Sequence, residues 1–84
     1  MNYFLLDFDS AMMAMKKIWE EDDRASREPT AFDITSAGGE RTYVICDSAE
    51  DDSRFRDALT FLGIQFREGN EQAAKDWFNS AFER

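Results

Sequence analysis

The order of local signals along this 84-residue chain predicts one α+β domain, β-α-β-β-α-β, with an antiparallel sheet and an added C-terminal amphipathic helix. Three observations lead there. Short apolar or alternating runs are separated by stretches with helical spacing. Capping residues and glycines stand at the boundaries. Two of the four strand segments are apolar throughout while the other two alternate, the pattern of central strands and edge strands respectively.

Taken in order, Asn2–Phe8 (NYFLLDF) reads as a central strand. Asp9 or Ser10 is placed to cap a helix whose apolar positions Ala11, Met12, Met15, Ile18 and Trp19 share one face, and which fades near Ser26, before Pro29. Ala31–Thr35 alternates as an edge strand, and Arg41–Asp47 is a second apolar strand. Between them Ser36-Ala37-Gly38-Gly39 supplies a hairpin turn. Ser48 and Asp51 form an S-x-x-D capping signature ahead of Phe55, Ala58, Leu59 and Leu62, and this second helix stops at Gly63. Ile64–Arg67 alternates as a short fourth strand. Gly69-Asn70 is a turn and cap, and Ala74, Trp77, Phe78, Ala81 and Phe82 mark a third helix, suited to cover the free sheet face or to form a homodimer there. The order resembles the ferredoxin-like, split βαβ arrangement, in which the first and third strands lie at the centre. That resemblance is architectural and covers roughly residues 1–68.

Composition narrows the function. With 43% hydrophobic residues, one proline and four glycines, residues 1–84 are expected to form a single folded domain rather than a disordered segment. One cysteine, Cys46, precludes an internal disulfide and favours a reducing, cytoplasmic setting. Met1–Phe8 lacks the basic start and cleavage site of a signal peptide, and no membrane contact is expected. A net charge of −8 repels phosphates, so direct nucleic-acid binding is disfavoured and the basic surface of another protein is the expected partner.

Catalytic chemistry has little to work with. There is no histidine, which removes the commonest general base, the hydrolase triads and the usual zinc ligand. Cys46 reads as a buried small hydrophobe, and Gly38-Gly39 sits in a hairpin rather than in a phosphate-cradling loop. Asp7-Phe8-Asp9-Ser10 resembles the first motif of haloacid dehalogenase-type phosphotransferases, but over those residues only; the lysine and further acidic motifs of that family are missing. A carboxylate site for Mg²⁺ or Ca²⁺, as in a metal-dependent phosphodiesterase, is the remaining enzymatic alternative. No cofactor is expected, and the chain is read as a non-enzyme.

The acids themselves are the candidate site. With the first and third strands taken as parallel neighbours, Asp7 and Asp9 fall beside Asp47, Glu50, Asp51 and Asp52, forming one acidic pole. The run Glu20, Glu21, Asp22 and Asp23 is a second patch. Its charges nearly cancel against Lys16, Lys17, Arg24 and Arg27 through the i, i+4 spacings Lys16–Glu20, Lys17–Glu21, Glu20–Arg24 and Asp23–Arg27. Twelve aromatic residues, Phe 8, Tyr 2 and Trp 2, are a heavy load for a small core. Trp19 and Trp77 are therefore candidate anchors as well as core residues. The expected function is an acidic interaction module that occupies a basic site on another protein, such as a nucleic-acid-binding protein, by mimicking nucleic-acid phosphates. In size and acidity the chain resembles small phage-encoded inhibitors of bacterial defence systems. A ferredoxin-like ligand-sensing module is the alternative.

Overall fold

The structure, a computed structural model, describes residues 1–82. Its elements are β1 (Asn2–Leu6), α1 (Phe8–Arg24), β2 (Asp33–Ala37), β3 (Arg41–Cys46), α2 (Ala49–Phe61), β4 (Arg67–Gly69), α3 (Glu71–Asn79) and a closing 3₁₀ turn, Ser80–Phe82. It is an α+β fold: a four-stranded antiparallel sheet with order β2-β3-β1-β4 and three α-helices. The two apolar strands are the central ones and the two alternating strands the edges.

Capping chemistry sets where the helices begin. Asp7, rather than Asp9 or Ser10, caps α1: its carboxylate accepts from the Ser10 backbone N–H at 3.1 Å and from the Ser10 hydroxyl at 2.6 Å. Phe8 is therefore already helical, and β1 ends two residues sooner than its apolar run suggests. Ser48 caps α2 and Asn70 caps α3, each side chain accepting from the N–H three residues on. Helix α1 stops after Arg24, with Ser26 in a left-handed conformation (φ 56°). In the β2–β3 hairpin Gly38 and Gly39 both take positive φ, 67° and 77°, which a side chain would resist.

Two boundaries shift for tertiary reasons. Strand β2 runs Asp33–Ala37 instead of Ala31–Thr35, because Phe32 is drawn against Phe55 (ring centroids 5.3 Å apart) before pairing with β3 begins. Strand β4 runs Arg67–Gly69 instead of Ile64–Arg67; Ile64 and Phe66 pack at the margin of the core, and the ladder to β1 starts only at the Leu5–Arg67 pair. Gly69 is required there, since a Cβ would come within 2.8 Å of the Ala73 Cβ.

The sheet is covered on both faces. One side of β1 and β3 packs Phe4, Leu6, Val44 and Cys46 against Ala14, Met15 and Ile18 of α1 and Phe55 and Leu59 of α2. Burial of each large side chain in this set contributes roughly 1.5–3 kcal/mol. The opposite side, Tyr3 and Leu5 with Tyr43 and Ile45, is covered by Ala74 and Trp77 of α3. Both tryptophans are half-buried and donate their indole N–H to a backbone carbonyl, Trp19 to Thr30 and Trp77 to Thr42, each at 2.8 Å. No helix among the described residues is long and apolar enough to cross a membrane.

Candidate interaction site

Strands β1 and β3 are neighbours but antiparallel: Asn2 lies opposite Cys46 and Leu6 opposite Thr42. Their C-terminal ends therefore point to opposite ends of the sheet, and the single pole combining Asp7, Asp9, Asp47, Glu50, Asp51 and Asp52 does not form. Asp7 and Asp9 sit beside the hairpin turn, where the Phe8 N–H donates to the Gly39 carbonyl at 2.7 Å. Asp7 is further committed to its cap, and the Ser10 hydroxyl bond keeps its carboxyl below the usual range.

The other four acids remain together at the far end, where β3 hands over to α2. Asp47 and Glu50 are exposed, Asp51 is half-buried, and none of the three makes an ion pair among the described residues. Register adds Asp33 at the start of β2, opposite Ile45, whereas Glu71 at the start of α3 is paired with Lys75 at 3.2 Å. The local field registers on Cys46, buried beneath this end. Burial, then the charges of Asp52, Asp51 and Asp47, push its thiol up to about 12, so it is inert as a nucleophile.

Asp52 differs from its neighbours. Arg56 of α2 bonds it at 2.8 Å and also bonds Glu68 of β4, while the Asn2 amide donates to both carboxylates at 2.6 Å. The Arg56 hydrogen bond, with help from Asn2, lowers the Glu68 carboxyl, and both acids raise Arg56 above its normal value. This cluster ties β1, α2 and β4 together. Its signal was present in sequence as the i, i+4 pair Asp52–Arg56.

The Glu20–Asp23 run is split by its helix geometry. Asp22 is 1% exposed and is withdrawn from any partner-binding role. It accepts from the Thr30 N–H at 2.9 Å, from the Thr30 hydroxyl at 2.7 Å and from Arg54 at 2.9 Å, with Arg27 at 3.3 Å. These bonds, the Thr30 hydroxyl foremost, outweigh burial and hold its carboxyl at about 2. Glu21 is held by Lys17 at 2.8 Å and lies 3.8 Å from Arg54. Of the four helix pairs read from spacing, only Lys17–Glu21 closes among the described residues; Arg27 turns to Asp22 instead of Asp23. Glu20 and Asp23 stay exposed.

Among the described residues no group of three or more acids or cysteines is arranged to hold a metal ion. Comparison with family models, curated proteins and solved structures finds no match, so the geometry alone carries the functional reading.

Proposed function

We propose that this chain is a binding protein rather than an enzyme, and that it engages a basic surface of a partner through the end of the domain formed by Asp47, Glu50 and Asp51. The carrying observation is that these three carboxylates project from the β3–α2 junction without an ion pair among the described residues, while nearby Asp52 is neutralised by Arg56. Uncompensated acids at a helix start stabilise the helix by roughly 0.3–1 kcal/mol each. Asp47 precedes the cap and gains nothing of that kind, which favours a role outside the fold. A group of carboxylates on a domain of net charge −8 suits the phosphate-reading groove of a nucleic-acid-binding protein, the mimicry expected of an anti-defence inhibitor.

A binding titration against salt, using a partner isolated on the immobilised protein, tests this. Affinity should fall steadily as ionic strength rises, and the triple variant Asp47→Lys, Glu50→Lys, Asp51→Lys should bind at least about tenfold more weakly. An affinity indifferent to both changes refutes the electrostatic mechanism.

A ligand-sensing role is the second reading. It is supported by the β-α-β-β-α-β order, read as a ferredoxin-like framework, and by an open groove at the opposite end of the sheet.

A further inference from the structure

That groove is formed because β4 is short. Its ladder with β1 ends at Leu5–Arg67, and the approaching segment diverges, leaving an open volume of about 830 Å³ beside the end of β1. Leu5, Leu6, Ile64 and Phe66 supply apolar lining. Two arginines, from the strands flanking β1, reach the same place: Arg41 of β3 and Arg67 of β4.

Both stack on one ring. The guanidinium carbons lie 4.3 Å (Arg41) and 4.7 Å (Arg67) from the centre of Trp77, which is fixed by its bond to the Thr42 carbonyl. Arg41 Nε donates to the Ser80 hydroxyl at 2.7 Å, which orients that guanidinium while leaving its terminal nitrogens without a protein acceptor among the described residues. Arg67 has neither an ion pair nor a side-chain hydrogen bond among them. In a chain with 18 acids and 10 bases, two such arginines on one indole are an unusual concentration of available donors.

We infer that this groove binds a small organic carboxylate carried on an apolar body, its anionic group taken by Arg41 and Arg67 and its hydrocarbon by the walls. The groove's own acids select the charge. Asp7 and Glu40 line it too, so arginines and carboxylates balance, and a multiply charged phosphate meets more repulsion than a monoanion does. The proposal is independent of the acidic end, and its failure leaves the partner-binding reading untouched.

Amide and indole NMR on the intact protein, titrated with octanoate, tests it. The Trp77 indole and Arg41 Nε–H signals should move saturably, while the Trp19 indole, held by Thr30 on the other side of the sheet, stays still. Octanol, lacking the charge, should bind at least about tenfold more weakly, and Arg67→Gln should lose a similar factor for octanoate. Because Arg67 is exposed on an edge strand, that variant should keep its fold, checked from the remaining amide signals. Equal binding of octanol, movement with inorganic phosphate alone, or no movement with octanoate overturns the assignment and leaves the Arg–Trp–Arg stack a structural cover.

Discussion

Two acidic segments of similar composition, Glu20–Asp23 and Asp47–Asp52, serve opposite ends. The first closes α1 and is partly turned inward: Asp22 is buried, and its bonds to Thr30 and Arg54 lock the end of α1, the following loop and α2 into one body. The second opens α2 and faces outward, with only Asp52 held by an arginine. The difference teaches that an acid's availability depends on what faces it. A carboxylate that finds an arginine across a helix pair and a hydroxyl in the adjoining loop becomes structure, and one beyond the last strand residue stays on the surface.

The comparison can be broken most forcefully at Asp22. Asp22→Ala leaves Arg54 facing an empty site and unties Thr30, and the melting temperature should drop by more than about 10 °C in calorimetry. The same carboxyl predicts an acid limb. Its pKa is depressed in the fold, so its stabilisation is complete above the unfolded value near 3.8 and is lost as pH falls toward about 2. Denaturant midpoints of the native protein should decline over that window, and Asp22→Asn should flatten the decline.

At the outward segment the effects are smaller and divided by position. Ser48→Ala removes the cap that accepts the Asp51 N–H and should cost about 1 kcal/mol in urea unfolding. Glu50→Lys or Asp51→Lys, each in the first turn, should cost about 0.5 kcal/mol through the helix dipole. Asp47→Lys should stabilise by about 0.3 kcal/mol, since it relieves repulsion without removing a bond. Added salt should raise the melting temperature of the native protein slightly and that of Asp47→Lys less. An Asp47→Lys variant that melts well below the native protein would mean this acid is structural after all.

The starts of α2 and α3 are legible in the sequence because a capping residue stands directly after a strand or turn. Ser48 and Asn70 lie within three residues of the N–H they satisfy, and the i, i+3, i+4 stripes of α1 and α2 name their buried faces. In α3 only Ala74, Trp77 and Phe78 of the expected stripe turn inward, since the helix ends at Asn79 and Ala81 and Phe82 are exposed in the closing 3₁₀ turn. The β1 boundary was misjudged because Asp7 belongs to the strand by composition and to the helix by hydrogen bonding. The groove at Trp77 went unread because its arginines come from strands separated in sequence, and neither residue signals the other.

By itself the sequence determined the class of fold, the central position of the two apolar strands and the amphipathic character of α3, while its seat on the sheet, left open against a homodimer, came from the structure. What the sequence determined follows from periodicity and burial, which each segment carries within itself. The antiparallel sheet expected from the element order already requires neighbouring β1 and β3 to run in opposite directions, which sends Asp7 and Asp9 away from Asp47, so the single acidic pole conflicts with that expectation. Only the tertiary structure decided that Asp22 meets an arginine 32 residues distant. Long-range ion pairing is a property of two segments together, and no pattern within one of them encodes the other's approach.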